Sequence, residues 1–399
     1  MAKPFRKALI LAVKIAVAAA LLGWVLSRVN WYDVVVTADG DERAVAAART
    51  TEEGLAVTYP DGGEAVLPWT SIVPAEGAAT ESADAYVRPG FASAVRGIRL
   101  GPLVAAVLTF LAMVYGTAVR WRRLAVVQDV TLSWWEAVRL TWMGAFFNYV
   151  IPGTTGGDVL KAWYASRHAP HHKMGSLVSV VTDRALGLTS LALLSAAMLA
   201  GVAVAGAWFG LEVGYTGRLG RIAVGLAVLL GVLAVVATVV FSRRVREGLH
   251  LERLYNHLPL AAHLRSADAA LDRVRGAPGA VAGAMAVSIG IHLMLVTSVA
   301  LLGMSLGAGI PWYQYAICVP LIYIIAAVPI VPGGVGLAEG FYVAFFGAWT
   351  VESRILAMAL LARLIPMLLS LPGVLVAVGG PAHPSAARMK AELEADEAA

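Results

Sequence analysis

Two long apolar stretches of this 399-residue chain are interrupted by proline and clustered glycines, and an acid follows each interruption. The first reads Ile151-Pro152-Gly153-Thr154-Thr155-Gly156-Gly157-Asp158, with Lys161 nearly one helical turn later. The second reads Val331-Pro332-Gly333-Gly334-Val335-Gly336-Leu337-Ala338-Glu339. Proline removes a backbone donor and glycine adds conformational freedom, so neither suits the middle of an uninterrupted membrane span. Irregular backbone at membrane depth survives only when buried in protein or lining a watery cavity. In transporters, such breaks at corresponding places in two halves point to the substrate site.

The surroundings are those of a membrane protein: 59% of residues are hydrophobic and 14% charged. Runs long enough to span lie at about 8–27, 100–119, 176–206, 219–241, 279–303 and 353–378. The run after Lys3, Arg6 and Lys7 is read as an uncleaved first span, since its small-residue stretch Ala18-Ala19-Ala20 lies inside it. Trp135 to Ile151 would reach only about 25 Å as a helix, short of a hydrocarbon core of roughly 30 Å. Tyr313 to Val331 carries Pro320 and Pro329 and ends at the second break. Both read as re-entrant hairpins. The expected fold is an all-α polytopic membrane protein of about six spans, with two oppositely oriented re-entrant hairpins as inverted repeats.

Basic residues set the orientation. Arg120, Arg122, Arg123, Arg167, Lys173 and the arginines from Arg243 to Arg275 are placed in the cytoplasm together with the amino terminus. The cytoplasmic (inner) membrane is the expected location. Residues 30–95, with eleven acids, three arginines and no lysine, then lie outside. Within them, 55–59 and 64–69 flank Pro60-Asp61-Gly62-Gly63, a hairpin signal. Residues 30–97 are therefore expected to be either a small β-rich extracytoplasmic insert, open to a protein partner, or a partly ordered loop. The first span is 1–29, the membrane domain 98–380 and a charged cytoplasmic tail 381–399. Leucines scattered through Arg243–Arg275 predict either amphipathic helices on the cytoplasmic leaflet or a solvated connector. Trp and Tyr at 134, 135, 163, 208, 215, 312, 313 and 315 read as interfacial belt anchors.

The two breaks align. Arg184 lies 26 residues after Asp158, and Arg363 lies 24 after Glu339. Charges at membrane depth are costly and mark candidate sites: Asp158, Lys161, Asp183, Arg184, Glu339 and Arg363, with Arg120 near an interface. One reading has Asp158 or Asp183 pair with Arg184, and Glu339 with Arg363, to hold the hairpins. The other has Lys161, Arg184 and Arg363 meet a phosphate, helped by helix N-termini. The acids at those N-termini could instead cap them. Asn148 could bond the loop backbone or a ligand. Pro152, Gly153, Gly156, Gly157, Pro332, Gly333, Gly334 and Gly336 form the hairpin tips. His292 reads as a packing residue. His168, His171 and His172 lack further ligands at metal spacing, so neither metal nor cofactor is expected. No Walker loop or nucleic-acid module is present.

Asn148 to Asp158 with Lys161 resembles the signature of the lysylphosphatidylglycerol synthase transmembrane family. This is the flippase-like membrane domain of the multiple peptide resistance factor and its stand-alone relatives. Asp183-Arg184 with Gly187-Leu188, and Pro332 to Gly336 with Glu339, are similar to its other recurring elements. The resemblance covers roughly residues 98–380 and implies a polytopic protein that binds or moves a lipid with a polar head. Some relatives carry aminoacyl-transferase or glycosyltransferase domains. Neither is found in this sequence, so lysyl-lipid synthesis is not expected of it.

The leading expectation is a lipid translocase, not an enzyme. An anionic phospholipid or lipid-linked precursor would enter a central cavity between the hairpins. The alternatives are a membrane-embedded transferase, with Asp158 or Glu339 as general base, and an accessory scaffold subunit.

Overall fold

The computed structural model describes residues 30–74, 86–150, 156–209, 216–242, 244–245, 261–327 and 336–379. The expected first span at 8–27, the tip residues Pro152, Gly153, Pro332, Gly333 and Gly334, and the tail 381–399 lie outside them. The chain divides into two units. The first holds residues 1–108, 297–315 and 330–365; the second holds 109–296, 316–329 and 366–399.

The strands belong to the first unit. They are β1 (Asp33–Val36), β2 (Glu42–Val45), β3 (Ala47–Thr50), β4 (Gly54–Thr58), β5 (Glu64–Pro68) and β6 (Val87–Arg88). They form two three-stranded sheets, ordered β2-β1-β6 and β3-β4-β5. Alternation sends Val35, Val45, Leu55, Val57 and Leu67 inward around Ile72. The Asp61-Gly62-Gly63 signal closes the antiparallel β4–β5 hairpin as read. Gly62 takes φ +90°, which favours glycine, and Asp61 Oδ1 accepts the Gly63 N–H at 3.0 Å.

The helices are α1 (Phe91–Arg96), α2 (Leu100–Val127), α3 (Trp134–Val150), α4 (Gly156–His168), α5 (Lys173–Phe209), α6 (Thr216–Phe241), α7 (Ala261–Arg275), α8 (Pro278–Ser305), α9 (Trp312–Ala327), α10 (Leu337–Phe346), α11 (Glu352–Leu369) and α12 (Pro372–Gly379). Among the described residues, five stretches are long and apolar enough to cross a membrane: Leu100–Val127, Lys173–Gly206, Ala223–Val240, Pro278–Ser305 and Glu352–Val376. They match the five expected spans beyond the first.

Two spans differ in detail. α2 runs on past residue 119, so Arg120, Arg122 and Arg123 stand on the helix rather than in a loop. Arg122 Nε donates to the Leu132 carbonyl at 2.8 Å, and Arg123 Nη1 to that of Gly283 at 3.3 Å. These contacts give the basic end protein partners. The last expected span breaks between α11 and α12, because Pro372 has no donor and disfavours helix at the residue before it. At the break, the Gly373 backbone lies so close to Trp142 of α3 that a Cβ would stand 2.4 Å from its carbonyl oxygen.

α7 does not lie free on a leaflet. Its Ala270 and Val274 pack on Val178 of α5, and Gln128 Nε2 donates to the Ala270 carbonyl at 2.8 Å. Tyr315 is no belt anchor either. It is 2% exposed, its hydroxyl lies over Gly303, and its ring sits 5.3 Å from that of Phe346. Trp135 and Trp312 are exposed as anchors should be. Within the first unit, the Ser353 hydroxyl donates to the Pro89 carbonyl at 2.5 Å, and Phe91 packs on Leu356.

α3 and α4 fold against each other as a helical hairpin. Their backbones touch at Gly144 and Gly157, where a Cβ on Gly157 would stand 1.9 Å from the Gly144 carbonyl oxygen. Gly157→Ala should therefore push the helices apart and lower the midpoint of chemical unfolding in micelles. Gly201→Ala, on α5 with nothing within 4 Å, should leave it unchanged or raise it, since alanine is the better helix former by about 1 kcal/mol.

Candidate functional site: buried acid–arginine clusters

In the second unit the site grows from the start of α4. The first N–H groups of a helix have no internal partner. Asn148, on the last turns of α3, supplies one: its Oδ1 accepts the Gly157 N–H at 2.9 Å. Its amide nitrogen lies 3.4 Å from Asp158 Oδ1. Asn148 thus bonds the hairpin backbone, and the cap role considered for Asp158 falls to it. Asp158 turns instead to α5, where Arg184 Nε donates to its Oδ2 at 2.5 Å. The 26-residue offset read from the sequence is this ion pair.

Asp183 precedes Arg184 on α5, and consecutive residues point about 100° apart around a helix. The Asp183 carboxylate therefore faces α2. Arg120 meets it with both arms of its fork, Nε to Oδ1 at 2.7 Å and Nη2 to Oδ2 at 3.0 Å. Nη1 continues to Ser288 Oγ on α8 at 2.9 Å. Both side chains are under a tenth exposed. Gly187, one turn beyond Asp183, lies under the fork, where a Cβ would reach ordinary van der Waals contact with Nη1 at 3.4 Å. One turn along α8, His292 Nδ1 lies 2.8 Å from Ser190 Oγ. Ser190 Oγ also lies 2.9 Å from the Gly187 carbonyl, so the histidine and the serine close a hydrogen-bonded contact between α8 and α5.

Lys161 stands on α4, three residues after Asp158. It is 4% exposed, and its ammonium lies 3.9 Å from the centroid of the Trp121 ring. The Trp121 N–H is engaged by Ser179 Oγ at 3.2 Å.

The first unit repeats the theme in a simpler form. Gly336, at φ +80°, turns the chain into α10 in a conformation that favours glycine. Glu339 Oε2 accepts the Gly336 N–H at 2.8 Å, so this acid does cap its helix. Arg363 of α11 closes on the same carboxylate, Nε to Oε1 at 2.6 Å and Nη2 to Oε2 at 3.2 Å. Glu339 is 1% exposed.

The structure thus brings Asn148, Gly157, Asp158, Lys161, Asp183 and Arg184 together in one unit, and Gly336, Glu339 and Arg363 in the other. Gly156 opens α4. Sequence reasoning missed the partner of Asp183, because it ended α2 one residue before Arg120. It also missed Ser288 and Trp121, which carry no charge to signal them. Among the described residues no group of three or more His, Cys, Asp or Glu could hold a metal ion.

Residues 89–373 match the family model described as the lysylphosphatidylglycerol synthase TM region. No curated protein matches the chain.

Breaking a buried ion pair from one side leaves an uncompensated charge and costs about 3–5 kcal/mol, whereas removing both charges can be neutral or stabilising. Arg120→Met should therefore destabilise far more than Arg120→Met combined with Asp183→Leu. Arg184→Gln should cost less than Arg120→Met, because the Arg184 side chain is 47% exposed. Unfolding of the four proteins in mixed micelles checks the order.

Proposed function

Since the chain belongs to the lysylphosphatidylglycerol synthase transmembrane family, we propose that it is a lipid translocase of the cytoplasmic membrane. It would move an anionic phospholipid or lipid-linked precursor between leaflets, as a transporter and not an enzyme. The observation that carries this reading is the pair of acid–arginine clusters, each built where a broken apolar stretch starts a new helix. Charges in such a place are expensive, and in membrane proteins they mark substrate and ion pathways. Two short helices joined through a glycine-rich break suit a re-entrant hairpin. The recurrence of the acid–arginine offset suits inverted repeats, the architecture that lets two halves alternate access.

In this reading the amino terminus is cytoplasmic and the strands of residues 30–97 face outward, where a protein partner could dock. The headgroup is held by charged side chains of the clusters while the acyl chains stay in the bilayer. Movement is driven by an ion gradient or by lipid supply and removal.

Reconstitution tests this directly. In liposomes carrying a fluorescent phosphatidylglycerol or polyprenyl-phosphate analogue, the protein should expose inner-leaflet label to an external quencher. Asp158→Asn and Glu339→Gln should slow this by at least roughly tenfold if each loses one buried charge-assisted contact. Label that stays protected with every anionic lipid tried would sink the reading.

A further inference from the structure

Aligned on their acids, the two clusters differ three residues further on. Three residues after Asp158 comes Lys161; three residues after Glu339 comes Tyr342. The first unit's cluster is thus one carboxylate and one guanidinium, which neutralise each other. In the second unit Arg120 and Arg184 are matched by Asp183 and Asp158, and Lys161 is left over. The excess is one positive charge.

That charge is deeply buried. Lys161 is 4% exposed, its ammonium lies 3.9 Å from the Trp121 ring centroid, and Asp183 and Asp158 act on it electrostatically without an ion pair to either. An ammonium carries three donors, and an aromatic face satisfies none of them as an oxygen would. Attraction by the ring falls short of what an ammonium loses on leaving water. The acids nearest Lys161 are already engaged by arginine. Replacing the lysine with tyrosine, as the other unit in effect has done, would remove the mismatch. Its presence is explained by a ligand that brings the missing anion.

We propose that Lys161 is the ligand-binding charge of the second unit, taking one phosphate group of single negative charge. The ligand is a lipid phosphodiester without a compensating ammonium in its head. Arg120 and Arg184 keep their carboxylates and act as scaffold. A zwitterionic headgroup would leave the excess charge in place, and a dianionic phosphomonoester would overshoot it. The choice of a lipid over free phosphate rests on the translocase reading; the charge count does not.

The test uses the full chain in detergent, mixed with equimolar phosphatidylglycerol, phosphatidylethanolamine and phosphatidic acid, then re-isolated for lipid analysis. The wild type should retain phosphatidylglycerol roughly tenfold over the other two, the gain of one charge-assisted contact. Millimolar inorganic phosphate should not displace it. Lys161→Met and Lys161→Tyr should lose the preference yet melt at the same or a higher temperature, since they remove an uncompensated buried charge. Equal retention of the three lipids by the wild type overturns the proposal without recourse to any variant. So does an unchanged preference in either variant, and displacement by inorganic phosphate makes the site one for a free anion. A clear preference with no lipid movement in liposomes would leave this inference standing and remove the translocase reading. Movement of phosphatidylethanolamine as fast as phosphatidylglycerol, with no preference in retention, would do the reverse.

Discussion

A guanidinium and a carboxylate joined by two short bonds, deep among apolar helices, organise the second unit. Neither Arg120 nor Asp183 could be buried alone, because the effective cost of taking one ion out of water is several kcal/mol. Together, with Ser288 taking a third arm of the fork, they tie α2, α5 and α8 at one level. The neighbours fall into place around that tie. Gly187 packs beneath the fork, and Arg184, next along α5 from Asp183, is carried round to face the start of α4. The hairpin of α3 and α4 is thereby anchored to the same helix that holds the buried pair.

Much of this was legible before any coordinates. Aspartate and two glycines between alternating apolar runs specify the β4–β5 hairpin by local chemistry alone. Long uninterrupted apolar runs specify the spans. The acid–arginine offsets of 26 and 24 residues offered two ion pairs as one of two readings, because a charge inside a span has few ways to be tolerated, and both pairs are formed. What could not be read depends on direction around a helix and on neighbours distant in sequence. Whether Asp183 or Arg184 faces α4 is decided by packing. That Tyr315 is buried follows from Gly303, a dozen residues earlier, leaving space for its hydroxyl. The docking of α7 on α5 likewise turns on Ala270 and Val274, too small to advertise an apolar face.

The same acid–arginine device is put to different local use in the two units. Glu339 both caps its helix and holds its arginine, so one carboxylate serves two needs and is almost fully buried. Asp158 has been relieved of capping by Asn148, a residue of the neighbouring helix. That division leaves Asp158 and its surroundings more open, with Arg184 partly exposed beside it. A cluster arranged in this way can admit a visitor without giving up the bonds that hold its helix start.

The contact between Gly144 and Gly157 has a mechanical consequence. With no side chain between them, the two backbones meet at their crossing, and the Gly157 N–H is bonded across to Asn148 at the same level. Changing the angle between α3 and α4 would part backbone from backbone and strip a helix start of its partner. Tilting the pair as a single stiff lever disturbs neither. The Asp158–Arg184 pair at the start of α4 and the single 3-10 turn at its end then hold that lever to α5 at both ends, so the hairpin behaves as one slab whose thickness is set by two glycine backbones.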